Sequence, residues 1–258
     1  MNIETNLCLN ASFKTKVYHG VTWIPINTLG NTRYSNETMK KIIELKNNKL
    51  VDAEFYKQID NLYEFVQFIQ LSDFQVMEDN VFYDLDGLVW ESHNNGLEAL
   101  KQNGGCCSSV AALVNTTLKN NYDLIKIIVV ISLNGSCHVL NYIEHERKKY
   151  IFDAYATTNK YKKYIPTESG ELNSFLKSKI LTGGLLEIDS LDSFFEFYRR
   201  YSIKKKNCYD FFLVENDVVP TISLIREKNE IIIFLKEDTM KLISKDKKQH
   251  NLRINYIV

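Results

Sequence analysis

The sequence predicts an α+β fold in which a helix packs on an antiparallel sheet. Helical periodicity dominates the first third of the chain, whereas short strand-like runs occupy its end. Between them, one helical segment is followed by β-branched, apolar segments that turn residues separate. With 258 residues, 45% of them apolar, the chain is long enough to bury a core without disulfides or a structural metal.

The N-terminal part of the chain is predicted to be helical. Asn36 is a candidate N-cap, and apolar residues recur at spacings of three and four from Phe55 to Ile69. This second pattern indicates a helix of about five turns. No linker rich in Pro, Gly or Ser follows, so we expect a single domain, residues 1–258. Its expected regions are a helical N-terminal part to about residue 95, a core of about residues 96–182, and a helix plus β-rich part of about residues 183–258.

The middle of the chain is predicted to hold one helix and three strands. Helical periodicity resumes from Cys107 to Leu118, directly after a pair of glycines. Three strand-like runs follow, which are Leu124–Leu133, His138–Ile143 and Tyr150–Ala154. Their short polar connections predict antiparallel pairing, and therefore a sheet that packs on the helix.

Two helices and five strands are expected in the C-terminal part. The helical stretches are Glu171–Ile180 and Leu191–Tyr201. The strand-like runs are Tyr209–Val214, Thr221–Ile225, Glu230–Leu235, Lys241–Ile243 and Leu252–Val258. The pattern fits both a separate β-domain and an extension of the central sheet.

Charge and composition argue against several classes of protein. Lys plus Arg and Asp plus Glu number 32 each, so the basic surplus of a nucleic-acid-binding protein is absent. The longest apolar run, Ile127–Leu133, is too short to span a bilayer, and the first residues lack a signal-peptide pattern. Five cysteines without framework spacing favour reduced thiols. We expect a cytoplasmic protein that binds neither nucleic acid nor membrane.

Three residues of the core carry the side chains that nucleophilic acyl chemistry requires: Cys107, His138 and Asp153. The thiolate attacks a carbonyl carbon, the imidazole moves the proton, and the carboxylate fixes the tautomer of the imidazole. Cys107 opens a helix, where backbone amides and the helix dipole stabilise a thiolate. The sequence therefore predicts a Cys-His-Asp triad.

A hairpin between the second and third central strands would bring His138 and Asp153 together. If the turn is centred on His145-Glu146, His138 lies opposite Asp153 and Leu140 lies opposite Ile151. Directly opposed side chains have Cβ atoms about 4.5–5.5 Å apart, within reach of a hydrogen bond. A slip of one residue would place the two side chains on opposite faces.

Structural roles and a metal site are the alternatives to the triad. A cysteine at a helix start often packs as a small apolar residue, and a strand histidine or a loop aspartate often has a structural role. Cys106, Cys107, Cys137 and His138 would be four soft metal ligands. However, the Cys-x₂₋₄-Cys spacing of structural zinc sites is absent. We therefore expect no metal and no other cofactor.

The segment from Asn103 to Ala154 resembles transglutaminase-like and papain-like cysteine enzymes. Gly105, Cys107 and Ala111 match their Gly-x-Cys-x-x-x-Ala helix start, and Cys137-His138-Val139-Leu140 is similar to their histidine strand. The run from Lys149 to Asp153 resembles the strand that leads into the third triad member, and the glycine pair is also similar to that of arylamine N-acetyltransferases. The resemblance implies a papain-like or transglutaminase-like core and thiol chemistry.

The family spacing favours Cys107 over Cys106 as the nucleophile, and three further residues are candidates for an oxyanion site or pocket wall. Gln102 and Gly105 lie five and two residues before Cys107, and Trp90 precedes it more distantly. Three functions fit this set: an amide or peptide hydrolase, an acyltransferase or transglutaminase-type enzyme with an amine acceptor, and an inactive binding module of the same fold. The expected substrate is a peptide or an amide-bearing small molecule.

Overall fold

Fifteen strands, three helices with defined bounds, and helical positions at 37, 40, 41 and 44 are present in the residues that the computed structural model describes. These residues are 17–18, 20–25, 29–30, 37, 40–41, 44, 58–71, 74–76, 80–83, 88–91, 104–132, 137–154, 184–201, 209–216, 219–220, 222–227, 230–236, 238–246 and 251–257. The helices are α1 (Leu62–Leu71), α2 (Cys107–Leu118) and α3 (Leu191–Tyr201). The strands are β1 (Val17–Tyr18), β2 (Val21–Pro25), β3 (Gln75–Val76), β4 (Asn80–Tyr83), β5 (Leu88–Glu91), β6 (Gly104–Gly105), β7 (Leu124–Ser132), β8 (Cys137–His145), β9 (Lys148–Phe152), β10 (Gly184–Ile188), β11 (Tyr209–Val214), β12 (Ile222–Glu227), β13 (Glu230–Lys236), β14 (Met240–Ser244) and β15 (Asn251–Ile257).

Eight of these strands form one antiparallel sheet, in the order β1-β2-β10-β9-β8-β7-β11-β14. Five others form a second sheet, in the order β15-β13-β12-β5-β4, where β13 and β15 are parallel. The short strands β3 and β6 make a separate parallel pair. The C-terminal strands therefore both extend the central sheet and build a second one.

The large sheet is covered on both faces. One face packs against α3 through an aromatic cluster that includes Phe194, Phe195 and Phe211. The opposite face packs against α1 and α2, and against the inner residues of the second sheet, such as Ile222 and Ile233. Because α2 is enclosed by these elements, 11 of its residues are buried and it has no solvent-facing stripe.

Side-chain caps begin two of the three described helices. Asn61 Oδ1 accepts a hydrogen bond from the backbone N–H of Glu64 at the start of α1, and Ser190 Oγ accepts one from Ser193 at the start of α3. Helix α2 differs, because its N-cap residue Cys106 makes no such side-chain bond. No side-chain cap therefore accepts from the first amides of α2.

Several predicted elements are confirmed, and the described residues of the N-terminal part form strands as well as helix. The structure has α2, α3 and β11 with the predicted bounds. Residues 37, 40, 41 and 44 are helical, which agrees with a helix that begins at the candidate N-cap Asn36. Within residues 1–95, however, the described residues also form five strands. Helix α1 begins at Leu62 rather than near Phe55, and the predicted helix Glu171–Ile180 lies outside the described residues. The mixed α+β class is confirmed, with more strand than helix.

The predicted register of the β8–β9 hairpin is wrong by two residues. Ile151 lies opposite Tyr142, not opposite Leu140 as predicted. The turn is centred on Glu146 and Arg147, whose φ angles are 49° and 67°. Two consecutive residues with positive φ form a hairpin turn whose twist matches that of the flanking strands. Neither residue is Asn or Gly, the types that favour this conformation. The backbone N–H of Glu146 also donates to Asp123 Oδ2 at 2.9 Å, which fixes the turn there.

Replacing the turn by Asn-Gly should stabilise the protein. In the double variant Glu146→Asn/Arg147→Gly, the left-handed conformations no longer cost the penalty of a larger side chain, so the free energy of unfolding should rise by about 1 kcal/mol. The control variant His145→Asn/Glu146→Gly places the same dipeptide one residue earlier and should be less stable than wild type. Urea denaturation compares the three proteins. A control more stable than the first variant would contradict the observed register.

Candidate active site

His138 and Asp153 lie in hydrogen-bond contact, with 2.8 Å between Nε2 and Oδ2. Strand β8 carries His138 near its start, and Asp153 directly follows the last residue of β9. Since the register differs from the predicted one by two residues, the pair is diagonal rather than directly opposed, and both side chains remain on one face of the sheet. The imidazole is 24% exposed and the carboxylate 8% exposed.

The His138–Asp153 pair lies on the α3 face of the sheet. Side chains alternate along β8, so His138 shares its face with Leu140, which packs in the α3 cluster. The intervening Val139 belongs to the cluster on the α2 face, and Asn141 donates from Nδ2 to the backbone oxygen of Ala111 in α2 at 3.0 Å. Helix α2 therefore packs on the strand that carries His138, as predicted, but against its other face.

Cys107 lies at the first residue of α2, beside the ends of the central strands. Its side chain is 6% exposed and belongs to the same apolar cluster as Ile131 near the end of β7 and Val139 near the start of β8. Cys137, the first residue of β8, packs against that cluster as well. Cys107 therefore lies near the ends of β7 and β8, in the cluster on the α2 face of the sheet, whereas His138 projects from the α3 face.

Cys106 has a different environment. Its sulfur lies 2.9 Å from Ser108 Oγ and 3.4 Å from Ser109 Oγ, within the first turn of α2. Both serines are fully buried, and Cys106 itself is 2% exposed. These contacts direct Cys106 into the protein interior.

Asp153 and Cys107 both influence the hydroxyl of Tyr198, a residue of α3. Burial raises the pKa of Tyr198, and Tyr209, Asp153 and Cys107 raise it further. The carboxylate and the thiol are therefore both close enough for their charges to act on one phenol hydroxyl. This residue was not among the predicted site residues. Nothing in its local sequence distinguishes it from the other aromatic residues of the helix.

The three further candidates for an oxyanion site or pocket wall lie in different parts of the chain, and one of them is not described. Gly105 lies two residues before Cys107 in the chain. It is buried in β6, where it pairs with Val76. The backbone of Trp90 lies in β5, opposite Ile222, which belongs to the same apolar cluster as Cys107. Gln102 lies outside the described residues. The structure therefore places Gly105 beside Cys107 and the strand of Trp90 in the sheet that packs near it.

Comparisons with known proteins add no assignment to this geometry. The chain matches no family model, no curated protein and no solved structure. Across the described residues, no three His, Cys, Asp or Glu side chains are grouped so that they could hold a metal ion. Of the helices described, none has the length and apolar character needed to cross a membrane.

Proposed function

We propose that the protein is a cysteine-dependent amide or peptide hydrolase that acts through a thioester on Cys107. The observation that carries the proposal is the 2.8 Å contact between His138 Nε2 and Asp153 Oδ2, beside a helix that begins with a cysteine. In this arrangement the carboxylate engages one ring nitrogen, and the other nitrogen, Nδ1, exchanges a proton with the thiol.

The exposures of the two side chains fit these roles. A carboxylate that orients an imidazole works best out of water, and Asp153 is 8% exposed. A base that passes a proton to a leaving group must reach the substrate, and His138 is 24% exposed.

The start of α2 supports the chemistry on the thiol. The first amides of a helix stabilise an anion, and Cys106 supplies no side-chain cap that would compete for them. Gly105 adds backbone without a side chain immediately before this point. These groups favour a thiolate on Cys107 and negative charge on a carbonyl oxygen held beside it.

Acyl transfer to an amine is the second candidate, because the triad does not encode the acceptor. Both reactions share the thioester and differ in its fate. Once the thioester has formed, adding a primary amine such as glycine ethyl ester distinguishes them. Faster loss of the thioester, with formation of the amide, would favour an acyltransferase, whereas an unchanged rate of loss favours hydrolysis.

Incubation with p-nitrophenyl acetate, followed by intact-mass measurement and peptide mapping, tests the proposal. We expect one acetyl group on Cys107 in the wild type and none in Cys107→Ala. Cys106→Ala is the matched control and should acylate like the wild type, because Cys106 is directed towards Ser108 and Ser109. Acylation confined to Cys106 would move the nucleophile by one residue. A wild-type protein without any thioester would contradict the proposal.

A further inference from the structure

We propose that a cavity between the two large sheets binds a basic side chain, lysine or arginine, of an extended peptide. The inference does not depend on the function proposed for Cys107. Its basis is an aromatic residue that stays exposed on the inner face of the second sheet, the cavity beside that residue, and two carboxylates at the rim of the cavity.

Tyr256 of β15 lies on the inner face of the second sheet and is nevertheless 52% exposed. Side chains on one face of a strand recur every two residues, and Ile254 and Leu252 both pack against the apolar cluster between the sheets. In the parallel ladder, Tyr256 is level with Leu235, which is 0% exposed. The sheet therefore directs an aromatic ring inward at a place where the core does not cover it.

A cavity of about 450 Å³ lies beside this ring, between β14 and β15. These two are the last strands of different described sheets, so no ladder of hydrogen bonds joins them. At one end they are linked, because Lys245 Nζ donates to the backbone oxygen of Leu252 at 3.4 Å. At the other end the cavity separates them and is lined by Met240, Lys241 and Tyr256. Its volume is within the range of ligand-binding clefts.

The lining of the cavity has an apolar floor and an acidic rim. Met240 is 2% exposed and belongs to the apolar cluster between the sheets. Glu215, after β11, and Asp238, in the turn before β14, are exposed and also line the cavity. Among the described residues, neither carboxylate takes part in a hydrogen bond or an ion pair. Together with the ammonium of Lys241, the two carboxylates give the described lining a net charge of −1.

A lysine or arginine side chain has the same division into an apolar and a charged part. Its methylene stem can cover Met240 and the ring of Tyr256 while its cationic end reaches Glu215 and Asp238. The face of an aromatic ring also attracts a cation directly. A neutral apolar side chain would gain nothing from the carboxylates, and an acidic side chain would be repelled by them. Charge complementarity therefore favours a basic occupant.

The strands beside the cavity favour an extended peptide as the carrier of this side chain. Among the described residues, β14 is paired only with β11, and β15 only with β13. An edge strand has backbone N–H and C=O groups that can pair with an added strand. A peptide that enters beside β14 or β15 can therefore form backbone hydrogen bonds while its side chain occupies the cavity.

Titration of the isotope-labelled protein with acetyl-Gly-Lys-Gly-amide, followed by NMR spectroscopy, tests the inference. The blocked ends leave the lysine ammonium as the only charge of this peptide. We expect saturable changes in the backbone amide resonances of Glu215, Lys241 and Tyr256. In Glu215→Gln/Asp238→Asn the dissociation constant should rise by about tenfold, because two exposed ion pairs are lost. In Tyr256→Ala it should rise by about threefold, through loss of the cation–π contact.

Asp192→Asn/Glu196→Gln is the matched control, since it removes two exposed carboxylates from α3, on the other side of the large sheet. It changes the net charge equally and should leave the dissociation constant unchanged. Equal weakening in both double variants would mean that overall charge attracts the peptide, and would overturn the inference.

Three further peptides test the chemistry of the occupant. The arginine analogue, acetyl-Gly-Arg-Gly-amide, should shift the same resonances, and the leucine and glutamate analogues should not. Leucine binding as tight as lysine binding would show an apolar cleft without selection for charge, and would contradict the inference. It would also be wrong if neither basic peptide produced saturable changes at these residues. The titrations do not involve a thioester, so either result leaves the function proposed for Cys107 to its own test.

Discussion

Replacing His138 by alanine should slow the acylation of Cys107 by about 10²- to 10⁴-fold, the range over which a positioned general base contributes. The variant leaves the thiol and the start of α2 unchanged and removes the group that takes its proton. Asp153 then loses its partner at 2.8 Å and can no longer orient a base. Added imidazole should restore part of the rate, because it can diffuse into the space of the missing ring.

A second histidine on the same strand provides the control. His145 ends β8, at the opposite end of the strand from His138, and its ring packs edge-on against Tyr122 at 5.0 Å. His145→Ala should keep the wild-type acylation rate, whatever it does to stability. The rates are measured by release of p-nitrophenolate under single-turnover conditions. If the curves of His138→Ala and wild type superimpose, the His138–Asp153 pair is structural, and a binding module of this fold becomes the better interpretation.

Phe211→Ala should lower the free energy of unfolding by about 3–5 kcal/mol, the cost of removing a fully buried phenyl ring. Phe211 is 0% exposed and lies at the centre of the packing between β11 and α3. Its ring is 4.4 Å from that of Phe195, and the guanidinium of Arg199 lies over it at 5.1 Å. The variant therefore loses an aromatic pair and a cation–π contact together with the apolar area.

Urea denaturation followed by circular dichroism measures this loss. Tyr256→Ala is the matched control, since it removes an aromatic side chain that is 52% exposed and should change stability by about 0.5 kcal/mol or less. Phe211→Leu keeps most of the side-chain volume, so its free energy of unfolding should lie between those of Phe211→Ala and Tyr256→Ala. Equal stabilities of Phe211→Ala and Tyr256→Ala would mean that α3 does not dock on the sheet through Phe211.

Local pattern was sufficient to predict the central elements. Helix α2 has the predicted bounds, and the predicted strand Leu124–Leu133 differs from β7 by one residue. In both segments the apolar residues are dense, and turn residues mark the ends, so local preference and tertiary burial agree. The N-terminal strands could not be predicted in this way, because β2 is paired by β10, from much later in the chain. Its strand character is set by that partner rather than by its own five residues.

The pairing of His138 with Asp153 was predicted through a wrong register. The error was two residues, and side chains on a strand repeat every two residues, so the face of each side chain was unaffected. The position of the turn was missed because Glu146 and Arg147 are not residues that favour positive φ. Tyr198 could not be found from the sequence at all. Its relation to the site depends on how α3 docks, and docking is a property of the assembled sheet.

The position of β11 in the central sheet has a consequence for how the protein acquires its site during folding. Strands β7, β8 and β9 are neighbours both in the chain and in the sheet, so their hairpins close short loops and can form early. The other neighbour of β7 is β11, through pairs such as Ile128 with Leu213, and this pairing closes a much longer loop. A chain that has emerged from the ribosome only as far as Ala154 therefore already contains the thiol, the imidazole and the carboxylate. It lacks α3 and β11, and with them the aromatic cluster on the face of the sheet that carries the His138–Asp153 pair.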